Sequence, residues 1–307
     1  MSLAFLHHRD CAKHDMGAHH PECPDRLAAI EDYLLATGLL PHLREFDAPL
    51  ADRDVLARVH DPAYLDALEA AAPAHGVVHL DPDTAMNPHT LQAARRAAGA
   101  VVRAVDLVIS GETGTAFCCV RPPGHHAERA RAMGFCFYNN IAVGAAHALA
   151  AHGLARVAVV DFDVHHGNGT EHIFSADERV MMVSTFQHPF YPYSGMEGRS
   201  SRMVNCPLPA YSGSREFREA VETAWLPALA DFQPEMILVS AGFDAHREDD
   251  MAMLALNEQD YDWVTRKIVA VADEYAGGRV VSSLEGGYHL SALARSVAVH
   301  VKALAGL

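Results

Sequence analysis

The chain has 307 residues, half of them hydrophobic, and its 39 acidic and 24 basic side chains give a formal net charge of −15. No Lys/Arg cluster stands out, so the basic footprint that binds a phosphate backbone is missing, and we expect no direct binding to nucleic acid. No stretch approaches the roughly 20 apolar residues that a membrane span needs, and the apolar run at residues 3–6 is too short for a signal-peptide core. The six cysteines form no Cys-x-x-Cys pair, which fits a reducing compartment, and we expect a cytoplasmic protein.

The first third of the chain is predicted to contain helices and loops. Residues 1–26 are polar and rich in histidine, and residues 73–90 carry the prolines and glycine of an ordered surface loop. Asp61-Pro62 and Asn87-Pro88 both place a capping residue before a proline, which is typical of a helix start. Three helices are therefore expected: one from about Asp25, one from Asp61-Pro62 to about Ala71, and one over residues 91–109.

From residue 116 onward, apolar runs alternate with helical patterns. The runs that read as buried strands are residues 116–120, 156–160, 180–184, 236–241 and 280–284. The helical patterns cover residues 141–151, 217–230, 261–275 and 290–304. This alternation predicts an α/β fold with a central, mainly parallel sheet and helices on both faces. Nothing divides the chain, so we expect one domain over residues 1–307.

Polar side chains follow four of the predicted strands. They are Arg121-Pro122-Pro123-Gly124-His125-His126, then Asp161, Asp163 and His165, then Gly242-Phe243-Asp244, and finally Glu285-Gly286-Gly287-Tyr288-His289. In open α/β sheets, ligands bind outside the carboxyl ends of the strands. Each group alone fits a turn, a helix cap or ordinary packing, but together on one edge they favour a hydrolytic metal site.

The stretch after the second of these strands predicts metal ligands. If the strand continued past Val160, then Asp161, Asp163 and His165 would point to one side, because strand side chains alternate with period two. The glycines on either side of Asn168 suit a turn. With Asp244, Asp163 and His165 make an O,N,O ligand set that leaves a position open, as catalytic zinc requires.

This ligand set predicts hydrolysis of an amide. A metal held there would activate water and polarise a carbonyl. A neighbouring histidine could take the proton of the water and return it to the leaving amine. Tyr288, on a loop with two glycines, could donate a hydrogen bond to the developing oxyanion.

Several motifs in order resemble the signature blocks of the zinc-dependent histone deacetylase family. They are residues 20–26, 121–140, 161–174, 240–246 and 284–288. The likeness is nearest to the class II branch and its bacterial relatives, which include histone deacetylase-like and acetylpolyamine amidohydrolases. It implies the three-layer arginase/deacetylase fold and removal of an acetyl or other acyl group from a lysine side chain or related amine.

The resemblance also implies a role for each residue at the edge of the sheet. Asp163, His165 and Asp244 match the ligands of one zinc ion. The catalytic positions are His126 as general base and acid, His125 as its electrostatic helper, Asp161 behind His125, Asn168 behind His126, and Tyr288 as the group that polarises the carbonyl. Asn168 is the class II residue where class I members have aspartate.

Substrate and ion positions follow from the same resemblance. Gly134, Phe135 and Tyr191 match the walls that clasp the acyl-lysine stem, with Met251 and Gly287 as further substrate positions. A structural potassium ion is implied beside Asp161, Asp163, His165, Ser184 and Thr185. Arg26 matches a residue near the internal channel through which acetate is thought to leave.

Two segments depart from the family pattern. Met251 stands where the polyamine-selective eukaryotic branch has an acidic rim residue, and residues 188–204 replace the usual Pro-Gly-Thr-Gly. These differences bear on the substrate rather than on the chemistry. Protein acetyl-lysine, acetylated polyamines and other acylated amines stay open, as do the monomer and the homodimer.

Two competing interpretations remain. A binuclear manganese ureohydrolase on the same fold needs extra carboxylates at the positions of Gly167 and His246, which are not acidic. A binding module that recognises acyl-lysine without turnover would be expected to lose a histidine of the pair or the tyrosine, and both are present.

Overall fold

The computed structural model describes residues 2–198 and 200–307, and in these residues it forms ten strands and ten α-helices. The strands are β1 Leu3–His7, β2 Arg44–Asp47, β3 Val78–His79, β4 Ala85–Met86, β5 Thr115–Cys118, β6 Val157–Asp161, β7 Val180–Gln187, β8 Met203–Leu208, β9 Met236–Ala241 and β10 Val280–Leu284. The helices are α1 Asp25–Ala36, α2 Arg53–Leu56, α3 Pro62–Ala71, α4 Thr90–Ile109, α5 Asn140–His152, α6 Asn168–Phe174, α7 Ser214–Ala220, α8 Leu226–Phe232, α9 Glu258–Tyr275 and α10 Leu290–Leu304.

Eight strands build one sheet in the order β2-β1-β5-β10-β9-β6-β7-β8, and every neighbouring pair is parallel. The central strands read as continuous apolar runs because helices cover both of their faces. Helices α4 and α5 pack together on one layer, while α1, α9 and α10 pack together on the other. The predicted α/β fold class, with a parallel sheet between helical layers, is confirmed.

The strands that the sequence did not predict lie mainly at the edges of the sheet. At one edge, β2 is largely exposed; at the other, β8 is only partly buried and contains Pro207, a residue that edge strands tolerate. Strand β1 lies inside the sheet, but it is a single short apolar run within a segment predicted to be polar. Edge strands carry a weak apolar pattern, since one side of each faces water.

The helix predicted over residues 91–109 is confirmed as α4, which begins at Thr90. It does not begin at Pro88, because Asn87 and Thr90 close a turn through their side chains, with Asn87 N donating to Thr90 Oγ1 at 2.9 Å. The helical pattern at residues 217–230 divides into α7 and α8 around the π-helical turn Val221–Trp225. The surface loop at residues 73–90 contains the hairpin of β3 and β4.

Candidate active site

The strand order places the predicted site residues side by side. Strands β5, β10, β9 and β6 are consecutive in the sheet, and these are the four strands whose carboxyl ends lead into the polar groups. Because all four run parallel, their carboxyl ends lie at one edge. Asp161, the last residue of β6, pairs with Ser240 of β9 and with Ser184 of β7.

The three predicted metal ligands lie together at this edge. One ligand atom from each of Asp163, His165 and Asp244 lies within 4.8 Å of the others, and all three residues are buried. His165 Nδ1 is 3.0 Å from Asp163 Oδ1 and 3.2 Å from Asp244 Oδ2. Strand β6 ends at Asp161, so the condition under which Asp161, Asp163 and His165 would point to one side is not met. A loop brings Asp163 and His165 to Asp244.

The loop after β6 is shaped by its own side chains. Asp161 Oδ1 accepts from the backbone N–H of Asp163 at 3.1 Å, and Asp163 Oδ1 accepts from that of His165 at 2.9 Å. These local bonds replace the strand ladder, as aspartates commonly do in turns. The turn predicted around Asn168 is instead the start of α6.

The ligand set fits a divalent metal such as zinc. Buried Asp244 Oδ2 lies 3.2 Å from His165 Nδ1 but without hydrogen-bond geometry. A buried carboxylate oxygen left in this way is costly unless a cation binds it. Two glycines leave room for the ligand carboxylates. A Cβ on Gly242 would lie 2.0 Å from Asp163 Oδ2, and one on Gly286 would lie 2.0 Å from Asp244 Oδ2. Burial, with the charge of Asp163, raises the pKa of Asp244 to about 6.

A second group of a carboxylate and two imidazoles lies between α4 and α5, but both ring nitrogens of His147 in this group already have hydrogen-bond partners. His147 Nε2 and His152 Nε2 lie 2.8 and 2.7 Å from Asp106 Oδ1. Arg58 Nη1 lies 2.8 Å from His147 Nδ1, and a guanidinium can only donate. The proton of a neutral His147 ring is therefore on Nε2, directed at Asp106, and this group is an interhelical hydrogen-bond cluster.

The paired histidines differ in their partners and in their charge. His125 Nδ1 lies 2.9 Å from Asp161 Oδ2, and His126 Nδ1 lies 2.8 Å from Asn168 Oδ1. Burial opposes the charged form of both, but Asp161 and Asp163 outweigh it at His125 and raise its pKa to about 10. Burial and the neighbouring charges of His125 and His165 lower the pKa of His126 well below its usual value. His126 is therefore the neutral member of the pair.

Tyr288 reaches the same edge on the loop after β10. The guanidinium of Arg26 lies 5.1 Å from the centre of its ring, and the ring of Phe135 meets it edge-on at 5.9 Å. Asp249 Oδ2 accepts from the Tyr288 backbone N–H at 2.6 Å. Burial and the charge of Asp244 raise the pKa of Tyr288 well above 10, so its hydroxyl stays protonated and can donate.

A cavity of about 190 Å³ opens above these groups. Its lining in the described part of the chain is Asp83, His126, Gly134, Phe135, His165, Phe190, Tyr191, Met251 and Tyr288. The structure thus brings the predicted substrate positions Gly134, Phe135, Tyr191 and Met251 together with catalytic candidates. Gly287 does not belong to this lining; its backbone oxygen accepts from Arg26 Nε at 2.6 Å, behind Tyr288.

Three residues of the site had no role in the sequence analysis. Phe190 stacks on His165 with ring centres 5.4 Å apart, and Asp83 places a carboxylate at the cavity. Buried Glu285 accepts from the backbone N–H groups of Gly124 and His125, at 2.6 and 3.2 Å, and so holds the backbone before the histidine pair. Glu285 follows a predicted strand directly, which is the one signal that could have identified it.

The predicted potassium residues also converge. Ser184, opposite Asp161 in the sheet, is buried, and its hydroxyl has no hydrogen-bond partner among the described residues. Thr185 follows it in β7 and is 3% exposed. A buried hydroxyl without a hydrogen-bond partner, opposite Asp161 in the sheet, is compatible with a bound cation.

Fold and site together define a hydrolase of the deacetylase type. Residues 20–304 match the family model described as the histone deacetylase domain. The chain belongs to the histone deacetylase family, and the hydrolases that it matches show that it is an enzyme of the deacetylase type.

Individual relatives agree with this assignment. The chain is 39% identical to the "Histone deacetylase-like amidohydrolase" of Pseudomonas aeruginosa, over 88% of this chain and 73% of that protein. It is 35% identical to the "Polyamine deacetylase HDAC10" of Mus musculus, over 100% of this chain but 48% of that protein. Of another curated relative it spans only 20% of the length. The solved structure titled "Crystal Structure of HDA15 HD domain" superposes with a TM-score of 0.93 at 33% identity, over 100% of this chain and 89% of that one.

Proposed function

We propose that the protein is a zinc-dependent amidohydrolase that removes an acetyl or other acyl group from a lysine side chain or a related amine. The observation that carries this proposal is the convergence of Asp163, His165 and Asp244 beside a cavity that His126 and His165 line. A single zinc ion held by these three ligands would polarise the acyl carbonyl and lower the pKa of a water molecule.

The walls of the cavity suit an unbranched apolar stem. Phe135, Phe190 and Tyr191 present aromatic rings around a space of about 190 Å³. Such a space takes the methylene chain of an acylated lysine or of an acylated diamine, and the rings exclude bulk water from the amide. The amide would then lie beside His126 and Tyr288.

His126 is the group suited to move the proton. Its low pKa leaves the ring neutral near pH 7, so Nε2 can accept a proton when Nδ1 donates to Asn168. The proton would return to the leaving nitrogen, which departs as a neutral amine. His125, held by Asp161 and charged, would stabilise the negative charge that develops during attack.

Tyr288 would donate to the oxyanion. Its raised pKa keeps the proton on the hydroxyl. Arg26 and Asp249 hold its ring and its backbone, so the donor is oriented before substrate arrives, and such preorganisation makes oxyanion stabilisation effective.

A second candidate substrate class is acetylated polyamines and other small acetylated amines. The carboxylate of Asp83 at the cavity favours cationic substrates, and the relative from Mus musculus is named a polyamine deacetylase. Met251 takes a rim position without charge, so the electrostatic preference for a polyamine is weaker than a second carboxylate would give.

The two competing interpretations lose support from the geometry. A Cβ on Gly167 would lie 2.3 Å from Asp161 Oδ2, so there is no room for a further carboxylate there. His246 is buried, and its Nδ1 accepts from the backbone of Glu248. His126 and Tyr288 line one cavity, and the ring of His125 lies against that of His126. A module that only binds would not need this arrangement.

Ion content, assembly and location remain predictions. We propose potassium beside Ser184 and Thr185 as a structural ion. None of the helices in residues 2–198 and 200–307 has the length and apolar character to cross a membrane. We also propose a cytoplasmic location, a monomer or a homodimer, and no direct binding to nucleic acid.

Metal-stripped protein reconstituted with zinc tests the proposed function. We would assay it on a short acetyl-lysine peptide and on N-acetylputrescine, with Tyr288→Phe as the probe and Tyr211→Phe, at a tyrosine 79% exposed, as the matched control. We expect zinc-dependent cleavage that falls about 100-fold in kcat for Tyr288→Phe and is unchanged for Tyr211→Phe. Tight zinc binding without cleavage of either substrate would contradict the deacetylase proposal; the ratio of the two rates assigns the substrate class.

A further inference from the structure

Behind His126 lies a chain of two hydrogen bonds that ends in a carboxylate. His126 Nδ1 is 2.8 Å from Asn168 Oδ1, and Asn168 Nδ2 donates to Glu128 Oε1 at 2.9 Å. His126 is 4% exposed and Asn168 8%, whereas the side chain of Glu128 is 27% exposed. The chain therefore runs from the buried ring of His126 to a partly solvated carboxylate.

We propose that Glu128 is a positioning residue that fixes the amide of Asn168, and through it the ring tautomer of His126. The inference rests on the proposed function, since the tautomer matters because His126 serves there as the base. Glu128 does not touch the cavity that would hold substrate, so its effect on the reaction passes through Asn168.

The argument follows from which atoms can donate. An ionised carboxylate has no donor, so the Asn168 NH₂ group must face Glu128 and the Asn168 carbonyl must face His126. An amide oxygen only accepts, so the proton of the neutral ring lies on Nδ1. Nε2 is then left with its lone pair, as a general base requires.

Without the carboxylate of Glu128, the side-chain amide of Asn168 could rotate by about 180° and exchange the positions of its oxygen and its NH₂ group. Its NH₂ group would then face Nδ1, the ring proton would move to Nε2, and the base would be blocked. The other neighbours of Asn168 Nδ2 are weak, namely the His126 carbonyl oxygen at 3.5 Å and the Met133 sulfur at 3.4 Å. Neither contact is strong enough to prevent this rotation of the Asn168 amide.

The position of Glu128 is itself built into the fold. Its backbone N–H donates to the Arg131 carbonyl at 2.9 Å, and its carbonyl lies 2.9 Å from Nδ1 of buried His60. His172 Nδ1 lies 3.9 Å from its other carboxylate oxygen. Both backbone groups of Glu128 are therefore held by hydrogen bonds, and the backbone directs its carboxylate toward Asn168.

A polar cavity of about 110 Å³ adjoins the pair of Asn168 and Glu128. Water in such a cavity could replace a deleted side chain, so an alanine variant would not be diagnostic. Glu128→Gln is the better probe, because its amide can either accept from Asn168 or donate to it and no longer selects one orientation. Glu197→Gln, at a carboxylate lining the same cavity and bonded to the Gly195 backbone, is the matched control.

The decisive measurement is the ¹⁵N NMR signature of the His126 ring in the zinc-reconstituted protein. We expect the Nδ1–H tautomer alone in the wild type and in Glu197→Gln, and a second population with Nε2–H in Glu128→Gln. The Nε2–H form in the wild type, or an unchanged single tautomer in Glu128→Gln, would overturn the proposal. This readout does not need turnover, so it stays valid if every acyl substrate fails.

Kinetics measure the consequence. Glu128→Gln should lower kcat about tenfold with little change in KM, in the range typical for residues that orient a site from behind. In the Asn168→Asp variant, the carboxylate at position 168 accepts from His126 Nδ1 whichever residue is at position 128. In that background, Glu128→Gln should lower kcat by less than about twofold. An equal loss in both backgrounds would mean that Glu128 acts by another route. The acidic limb of the pH–rate profile should also move to higher pH in Asn168→Asp, because an adjacent carboxylate stabilises the charged ring.

Discussion

Gly134 offers the sharpest test of how closely the backbone packs against the candidate base. Its φ is +55°, and a Cβ built on it would lie 2.4 Å from His126 Cδ2 and 2.8 Å from Cγ. Ordinary contacts begin near 3.4 Å, so Gly134→Ala requires the ring to move by about 1 Å. The ring has little freedom, because Asn168 holds Nδ1 at 2.8 Å and the His125 ring centre lies 4.1 Å away.

The size of the effect can be worked out in two parts. Alanine in the left-handed region costs about 1 kcal/mol of stability whatever its neighbours, and a displacement of about 1 Å at a reacting group costs about 100-fold in rate. Gly153 provides the matched control, since its φ is +67° and a Cβ there meets nothing within 4 Å. Both variants should lose about 1 kcal/mol or more of unfolding free energy, but only Gly134→Ala should lose activity.

The assay is kcat/KM on whichever acyl substrate the wild type cleaves faster, with urea unfolding of each variant alongside. A Gly134→Ala enzyme within about threefold of Gly153→Ala would refute the reasoning, because a rate change this small corresponds to well under 1 kcal/mol. It would mean that the backbone, rather than the His126 ring, yields to the added methyl group.

Three further predictions concern the ligands, the cavity rim and a buried acid. Asp244→Asn should abolish binding of the single zinc ion, because an amide is a poor ligand, while Asp106→Asn should keep it; zinc content by elemental analysis decides, and zinc loss in Asp106→Asn would contradict the assignment. Met251→Glu should raise the preference for an acetylated polyamine over a neutral acetyl-lysine peptide about threefold at low salt, measured as the ratio of kcat/KM values, and a ratio insensitive to salt would speak against an electrostatic cause. Burial raises the pKa of Glu285 from 4.5 to about 7, so the folded state binds this proton more tightly than the unfolded state. The stability that the bound proton contributes is fully present below pH 4.5 and is lost as the pH rises through 7. Between pH 4.5 and 7, the unfolding free energy of Glu285→Gln should therefore rise by about 3 kcal/mol relative to that of the wild type. Urea unfolding of metal-free protein measures this difference, and a difference independent of pH would exclude this role.

The sequence predicted the residues that follow the central strands better than it predicted their surroundings. Asp163, His165 and Asp244 could be found because parallel strands with strong apolar runs lead directly into them. The strand itself does not continue beyond Asp161, since side-chain hydrogen bonds within the loop replace the strand pattern. The motif predicted three residues that the structure brings together, although the loop that places them is not an extension of the strand.

Other features depend on contacts between distant segments and leave no local pattern. Asp83 lies in a segment that reads as a surface loop, and its place at the cavity is known only once that loop folds over the sheet. Glu128 lies 40 residues before Asn168, and no periodicity connects the two. The need for glycine at Gly134 likewise comes from the ring of His126, eight positions earlier.

The place of β10 in the sheet has a consequence for synthesis of the chain. Of the eight strands of this sheet it leaves the ribosome last, yet it lies between β5 and β9. Until it inserts, the sheet consists of two separate pieces. The metal ligands on the β6 and β9 side could assemble before then, but Tyr288 follows β10 and arrives last. A nascent chain would thus be able to bind metal before it could cleave substrate. Its two half-sheets would expose unpaired edges to other chains until β10 has been synthesised and has inserted.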